Sequence, residues 1–188
     1  MQRIGVIGAG AWGTALAATA CRAGRDVFLW ALEEGVVESI NSRHVNEVFL
    51  PDVSLDDSIR ATSDVAETVD ADMVLLVAPA QHLRSVCSTL APHWKEGVPA
   101  VICSKGIERG THVLMTDVIA EALPMATPMV LSGPTFAKEV ASGLPTAVTL
   151  ASGDAGLGER AAKAIGTATF RTYTSNDLVG SAIGGAVK

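Results

Sequence analysis

Short apolar runs alternate with longer amphipathic or alanine-rich stretches along most of this chain. Runs that are apolar almost throughout and end at Gly, Pro or a polar residue are typical of buried parallel strands. Six such strands are predicted, at Ile4–Ile7, Asp26–Trp30, Ile59–Ala61, Met73–Ala78, Ala100–Cys103 and Met129–Leu131. The stretches between them are predicted to be largely helical, so the pattern indicates an α/β fold with a doubly wound parallel sheet.

Two further runs, at Thr146–Ala151 and Phe170–Tyr173, are predicted to be strands and flank a predicted helix at Ala155–Ile165. A minimal fold of this kind has six strands. We therefore expect these two runs to form an extra strand pair at the edge of the sheet.

The last segment, residues 176–188, is predicted to be a helix capped by Asn176. Gly180 and Gly184 recur at a spacing of one helical turn, which indicates a face that approaches another helix or a ligand closely. Each glycine costs an exposed helix roughly 1 kcal/mol relative to alanine, so a packing partner outside this sequence is expected. Residues 1–175 are interpreted as one domain, and 176–188 as the start of a connecting helix.

The first strand and the first helix are joined by Gly8-Ala9-Gly10-Ala11-Trp12-Gly13. A G-x-G-x-x-G between a buried strand and a helix is the fingerprint of dinucleotide binding. Gly8 is expected to allow the tight turn, Gly10 to let the backbone approach a pyrophosphate, and Gly13 to let helix and strand pack closely. The helix N-terminus would hold the anion. The sheet is therefore predicted to be Rossmann-like.

The same stretch has a superficial likeness to a secretory signal, since Arg3 precedes an apolar run that ends at Cys21. A signal helix has no need of three glycines at these spacings, so the chain is expected to be cytoplasmic. No run is long and apolar enough for a membrane span, and no membrane insertion is expected. The net charge of −6 argues against a nucleic acid partner.

Cysteine and histidine usage argues against disulfides and metal binding. Cys21, Cys87 and Cys103 are odd in number and set in apolar surroundings, which is typical of buried thiols in a reducing compartment. The four histidines show neither i, i+4 pairing nor a spacing with cysteine. No metal site is predicted.

Candidate chemistry follows the strand ends, where open α/β sheets bind their ligands. After the second strand, Glu33 is either an acceptor for an adenosine ribose hydroxyl or the first-turn acid of the next helix. The choice between NAD and NADP stays open. Val77–Gln81, which includes Pro79, is expected to face the nicotinamide half of a cofactor. Lys105 directly follows the fifth strand and is expected on the same rim.

A second glycine-containing loop, Ser132–Glu139, follows the sixth strand. Gly133-Pro134 predicts a turn, and Thr135 is expected to cap a helix that begins at Phe136. The N–H groups at the start of this helix would face the same rim. An anionic or hydroxyl-bearing ligand is therefore expected there.

The segment Arg43–Asp57 lacks clean periodicity and is predicted to be a loop. Loops of this length inside a compact domain are usually functional. Its apolar tip, Phe49-Leu50-Pro51, either covers a bound ligand or packs against the edge of the sheet.

Taken together, these stretches resemble the soluble, NAD(P)-dependent bacterial glycerol-3-phosphate dehydrogenases, and the resemblance covers the whole chain. The fingerprint is shared by many enzymes, whereas the S-G-P-T-F-A-K-E and G-G-A-V-K runs are far more specific. The matching runs, all in family order, are Gly8–Ala17, Phe49–Val53, Ser104–Gly106, Leu131–Glu139, Gly143–Ala147 and Gly184–Lys188.

The resemblance implies reversible hydride transfer between NAD(P)H and dihydroxyacetone phosphate or glycerol 3-phosphate, which supplies glycerol 3-phosphate for phospholipid synthesis. Lys188 matches the catalytic lysine that accepts a proton. Leu32 stands in the cofactor site where members commonly carry Arg or His, which argues against a strong NADP preference. The implied cofactor contacts are Ala11, Trp12, Lys105 and Ala137, and the implied substrate contacts are Lys105, Gly133, Thr135 and Lys188.

Members of that family continue past this lysine with a helical domain that carries the groups gripping the substrate phosphate. The chain is therefore interpreted as the cofactor-binding domain, expected to bind nucleotide and to turn over poorly or not at all. A homodimer of the full-length protein is left open. A related hydroxy-acid dehydrogenase and an NAD(H)-binding regulatory module are the alternative functions.

Overall fold

The computed structural model describes residues 1–187, and Lys188 lies outside the described residues. The strands are β1 (Arg3–Ile7), β2 (Asp26–Trp30), β3 (Val45–Asn46), β4 (Leu50–Ser54), β5 (Arg60–Thr62), β6 (Met73–Leu76), β7 (Pro99–Ile102), β8 (Thr127–Ser132), β9 (Thr146–Ser152) and β10 (Phe170–Ser175). The helices are α1 (Ala11–Arg22), α2 (Glu34–Arg43), α3 (Val65–Val69), α4 (Leu83–Leu90), α5 (Met115–Ala122), α6 (Ala137–Ala141), α7 (Ala155–Ile165) and α8 (Leu178–Ala186). Single 3₁₀ turns precede and follow α4, at Ala80–His82 and Ala91–His93.

The main sheet has eight strands in the order β10-β9-β8-β7-β6-β1-β2-β5. Neighbouring strands are parallel except for β8 and β9, which are antiparallel. The edge pair β9–β10 therefore runs opposite to the other six strands. The predicted Rossmann-like, doubly wound sheet and its extra edge pair are confirmed.

Helices cover both faces of the sheet, which is why the central strands are apolar throughout. Successive side chains of a strand point to opposite faces. In β6, Met73 and Leu75 join the core beneath α1, α2 and α7, whereas Val74 and Leu76 join the core beneath α3, α4 and α5. All four side chains are fully buried. This arrangement leaves the carboxyl ends of the strands as the rim on which the loops meet.

The predicted loop Arg43–Asp57 is instead a small antiparallel hairpin formed by β3 and β4. Its strands are two and five residues long, too short to give a visible alternation in the sequence. At its tip, Leu50 is buried in the core, which agrees with the expectation of packing, while Phe49 is 40% exposed. The expectation that the tip covers a ligand stays a prediction.

Helix α5 begins at Met115, directly after an isolated β-bridge between Ile107 and Leu114. Two predicted helix caps were wrong. Asp177 caps α8 in place of Asn176, with its carboxylate accepting from the N–H of Gly180 at 2.7 Å. Thr135 caps no helix, since Phe136 occupies the N-cap of α6 without a side-chain hydrogen bond.

Candidate functional site

The glycine-rich turn between β1 and α1 has a shape that only glycine permits at two positions. Gly8 has a φ of +112°, a region that side chains disfavour. A Cβ at Gly13 would lie 1.8 Å from the carbonyl oxygen of Gly8, so Gly13 packs against the turn itself. A Cβ at Gly10 would meet no atom within 4 Å. Gly10 thus borders open space.

The N-terminus of α1 has the properties of an anion-binding site. Gly10 occupies the N-cap and supplies no side-chain hydrogen bond, and no acidic residue stands in the first turn. The first amides of a helix carry N–H groups without intrahelical partners and the positive end of the dipole. The turn therefore fits the pyrophosphate of a dinucleotide.

A cleft of about 440 Å³ opens beside this turn, at the carboxyl ends of β6 and β7. The segment after β8 and the start of α6 form its far wall. Its lining residues are Trp12, Val77, Ala78, Pro79, Ala80, Cys103, Ser104, Lys105, Thr135 and Ala137. The structure thus brings together five of the predicted site residues: Trp12, Pro79, Lys105, Thr135 and Ala137.

Lys105 joins two loops of this rim. Its Nζ donates to the carbonyl oxygen of Gly133 at 3.3 Å. Gly133 is packed so tightly that a Cβ would lie 2.9 Å from the Cγ1 of Val148. The Oγ of Ser104, the residue before Lys105, donates to the carbonyl oxygen of Ala78. The loop after β7 is therefore bonded to its neighbours on both sides.

Cys103 forms part of the cleft wall but is no candidate nucleophile. Its side chain is buried, and this burial strongly raises the pKa of the thiol. The thiolate is the nucleophilic form of cysteine. The group is therefore neutral and acts as a small apolar side chain.

Gln81 and Glu108 hold the loop that follows Lys105, and the sequence analysis missed both roles. The side-chain amide of Gln81 donates to the carbonyl oxygen of Ile107 and accepts from the N–H of Arg109, both at 2.9 Å. Glu108 forms two hydrogen bonds of 2.9 Å with Arg84. Bonds to Arg84, and then to Thr111, lower the pKa of Glu108 to about 2. No sequence signal marks the contacts of Gln81 and Arg84 with this loop, whose partners are 24 or more residues apart.

The short helix α6 is fastened to α1 and to the hairpin. The guanidinium of Arg22, in the last turn of α1, donates to the carbonyl oxygens of Val140 at 2.6 Å and Ala141 at 2.8 Å. These carbonyls belong to the last turn of α6, and the Val140 oxygen also accepts from the N–H of Gly143 at 3.0 Å. Lys138 forms an exposed ion pair with Asp52 of β4 at 2.7 Å.

Leu32 and Glu33 lie at the carboxyl end of β2 and do not line the Lys105 cleft. Leu32 is 74% exposed and borders a separate apolar depression of about 200 Å³. Glu33 is the N-cap of α2 and makes no cap hydrogen bond, while Glu34 is the acid of the first turn. The depression is lined by Ile7, Trp30, Leu32, Val65, Val86, Thr89 and Leu90.

The last helix reaches the same rim. An added Cβ at Gly185 of α8 would lie 3.1 Å from the Oγ of Ser132 and 3.7 Å from the Cγ of Lys105. The close approach involves Gly185, whereas an added Cβ at Gly184 would meet no atom within 4 Å and one at Gly180 would lie 2.1 Å from the Oδ2 of Asp177. The face predicted at Gly180 and Gly184 stays a prediction. Lys188, the predicted catalytic residue, lies outside the described residues.

Within residues 1–187, no group of three or more His, Cys, Asp or Glu side chains could hold a metal ion. None of the helices between these limits is both long and apolar enough to cross a bilayer. The three cysteines form no disulfide with one another.

Comparison with known proteins gives a consistent result. The profile described as the N-terminus of NAD-dependent glycerol-3-phosphate dehydrogenase matches residues 3–157. Glycerol-3-phosphate dehydrogenase [NAD(P)+] of Paramagnetospirillum magneticum is 64% identical over 188 residues, which are 100% of this chain and 68% of that protein. The protein of the same name from Parvibaculum lavamentivorans is 56% identical over 187 residues, 100% of this chain and 56% of its own length.

A solved structure agrees in fold. The crystal structure of glycerol-3-phosphate dehydrogenase from Coxiella burnetii superposes with a TM-score of 0.91 at 31% identity. The superposition covers 98% of this chain and 57% of that one. The chain thus spans between about half and two thirds of the length of the proteins it resembles.

Proposed function

The chain belongs to the family of NAD-dependent glycerol-3-phosphate dehydrogenases, and on that premise we propose that it is the cofactor-binding part of such an enzyme. The reaction is reversible hydride transfer between NAD(P)H and dihydroxyacetone phosphate, giving glycerol 3-phosphate. One observation carries the proposal: the cleft in which Lys105 meets Trp12 and Ala137 beside the glycine-rich turn.

We propose that the cofactor lies along the rim from β2 to β8. The pyrophosphate would rest over Gly10 and on the first amides of α1, where Ala11 and Trp12 contact it. The space beside Gly10 and the absence of an acid in the first turn of the described α1 support this placement. The nicotinamide would enter the cleft between Pro79 and Ala137.

The adenosine end would extend to the carboxyl end of β2. The apolar depression beside Leu32 suits a purine ring. The Glu33 carboxylate, which caps no helix, would accept hydrogen bonds from the ribose hydroxyls. A lysine or arginine that would favour a 2′-phosphate is absent from the short run Ala31–Glu34.

The substrate would occupy the remaining part of the cleft. The nicotinamide, when bound, would supply or accept the hydride at C2 of the substrate. Lys105 would orient the oxygen on C2 and stabilise negative charge on it, because a positioned ammonium close to a reacting oxygen favours the charge that develops there. Gly133 and Thr135 line the substrate side, and Thr135 already faces the cleft.

We propose Lys188 as the proton acceptor, on the family resemblance. Oxidation of a secondary alcohol needs a base for the hydroxyl proton, and reduction needs the same group as an acid. A free lysine has a pKa near 10.4, which has to fall to roughly 7–8 for this role at neutral pH. A second positive charge, that of Lys105, would lower it in the required direction.

The proposed setting is the cytoplasm, with glycerol 3-phosphate passing to phospholipid synthesis. The three cysteines, none of which forms a disulfide with another, support a reducing compartment. An NAD(H)-binding regulatory module is the second candidate, because the glycine-rich turn at the start of α1 accounts for nucleotide binding and not for a reaction.

The test compares residues 1–188 with the full-length protein. Dihydroxyacetone-phosphate-dependent oxidation of NADH and NADPH is followed for both, and NADH binding is followed by fluorescence. We expect both forms to bind NADH and only the full-length form to turn over rapidly. A full-length protein that binds NADH but ignores dihydroxyacetone phosphate would exclude the dehydrogenase and favour the regulatory module.

A further inference from the structure

Asn46, at the end of β3, has a fully buried side chain next to the glycine-rich turn. Its Nδ2 donates to the carbonyl oxygen of Ala9 and to the hydroxyl oxygen of Thr14, both at 2.8 Å. Its Oδ1 accepts from the N–H of Phe49 at 3.1 Å. The partners fix the orientation of the amide, because a carbonyl can only accept and an N–H can only donate.

The Ala9 carbonyl is held from two sides. Thr14, in the first turn of α1, also donates to it through its Oγ1 at 3.3 Å. Asn46, Thr14 and the Ala9 carbonyl therefore form a closed triangle of hydrogen bonds. A buried carbonyl that lost these partners would bear a desolvation penalty, so the triangle keeps it directed toward the interior.

The direction of that carbonyl sets the direction of the next amide. The Ala9–Gly10 peptide is trans, and in a trans peptide the C=O and the N–H point to opposite sides. The N–H of Gly10 is thereby turned away from Asn46. Gly10 is also the glycine of the turn beside which a Cβ would meet no atom within 4 Å.

We propose that Asn46 is a positioning residue for the dinucleotide pyrophosphate, which it never contacts. By holding the Ala9 carbonyl inward, it presents the Gly10 N–H outward before the cofactor arrives. Such preorganisation raises affinity because the turn has no conformational freedom left to lose on binding. The inference rests on the proposed cofactor site, and it gives the β3–β4 hairpin a function in cofactor binding.

A purely structural role, in which Asn46 only fastens the hairpin, is separable by a matched control. Ser39 of α2 is also buried and fastens the same hairpin, since its Oγ donates to the carbonyl oxygen of Val45 at 2.6 Å. The hydrogen bonds of its hydroxyl, with Val45 and Glu47, reach no residue of the glycine-rich turn. Ser39→Ala therefore weakens the hairpin without releasing Ala9.

The experiment compares Asn46→Leu, Thr14→Val and Ser39→Ala in the full-length protein. Affinities for NADH and ADP-ribose, which carry the pyrophosphate, are measured by fluorescence titration and competition. The affinity for adenosine, which lacks it, is measured by ligand-observed NMR. We expect Asn46→Leu to weaken NADH and ADP-ribose binding at least tenfold, and Thr14→Val to weaken both by a smaller factor. Adenosine binding, and all binding by Ser39→Ala, should stay within twofold.

Each alternative outcome is decisive. If Asn46→Leu folds and binds NADH as the parent does, the positioning role is wrong while the proposed cofactor site stands. If Asn46→Leu does not fold, Thr14→Val decides, and unchanged NADH affinity in that variant overturns the role. Equal losses for adenosine and ADP-ribose would also overturn it. A parent protein that binds no NADH would remove the proposed function together with this inference.

Discussion

The Nζ of Lys105 lies 3.3 Å from the main-chain oxygen of Gly133, so one side chain bridges the loops that follow β7 and β8. The bridge brings a positive charge to the cleft at the boundary between the proposed cofactor and substrate positions. It also gives the ammonium a fixed direction of approach. A charge in this position can act on an oxygen that becomes negative during reaction.

Lys105→Met is expected to lower kcat/KM for dihydroxyacetone phosphate in the full-length protein by about 100-fold or more, because it removes an oriented charge from the reacting oxygen. Steady-state rates at saturating NADH measure the effect. Lys95→Met is the control, since Lys95 pairs with Asp70 at the amino ends of the strands. Equal rates for the two variants would contradict the role of Lys105.

Gly10 and Gly13 are expected to respond oppositely to substitution. Gly10→Val should weaken NADH binding more than 100-fold and change Tm little, because its side chain enters space that no protein atom occupies. Gly13→Ala should destabilise the fold by about 3 kcal/mol or more, since its Cβ would lie 1.8 Å from the Gly8 oxygen. NADH titration and thermal unfolding of both variants measure the two effects. Retained affinity in Gly10→Val would exclude this turn as the pyrophosphate site.

Leu32→Arg is expected to raise the affinity for NADPH relative to NADH about tenfold, which is the effect of one additional charge-assisted hydrogen bond to the 2′-phosphate. Leu32 is well placed for this change because it is exposed at the end of β2. Dissociation constants for both nucleotides give the ratio. Leu32→Met, which adds no charge, should leave the ratio as it is in the parent. If both variants give the parental ratio, the adenosine ribose does not lie at this position.

The protonation of Glu108 makes the stability of the fold depend on pH in the acid range. Arg84 lowers the pKa of Glu108 in the folded protein to about 2, below the value of about 4.3 expected in an unfolded chain. The ionised Glu108 therefore contributes fully to the free energy of unfolding above the unfolded pKa, and this contribution vanishes as the pH falls toward 2. Glu108→Gln should therefore lower Tm at pH 7, and the gap from the parent should narrow between about pH 4.5 and pH 2. Thermal scans across this range measure the gap.

Glu121→Gln is the matched control for that measurement. Glu121 also pairs with Arg84, at 2.8 Å, but its side chain is 58% exposed, against 11% for Glu108. Exposed ion pairs contribute little to stability. A gap that is constant from pH 7 to pH 2 in Glu108→Gln would show that the ion pair does not titrate as described.

The order of the elements could be predicted from the sequence because each central strand is buried on both faces. Runs such as Met73–Ala78 and Ala100–Cys103 are apolar for that reason, and a proline or a polar residue marks the end of each run. The glycine-rich turn was predictable as well, since the strain at Gly8 and the tight contact at Gly13 are properties of a single short segment.

The hydrogen bonds that hold the site could not be predicted, because their partners are distant in the chain. Nothing near Asn46 indicates that its amide reaches Ala9, 37 residues earlier. The predictions of the helix caps were wrong for a different reason. Asn176 and Asp177 are both good N-caps, and local preference alone does not choose between neighbours.

Helix α1 is held firmly at both ends, and this has a mechanical consequence. Thr14 belongs to the hydrogen-bonded triangle at its N-terminus, while Arg22 grips the last carbonyls of α6 at its other end. A helix of 12 residues is a stiff rod of about 18 Å. We therefore expect the glycine-rich turn and α6, which face the two halves of the proposed cofactor, to move together as one rigid unit. Opening and closing of the cleft would then require movement on the side of the cleft where α8 lies.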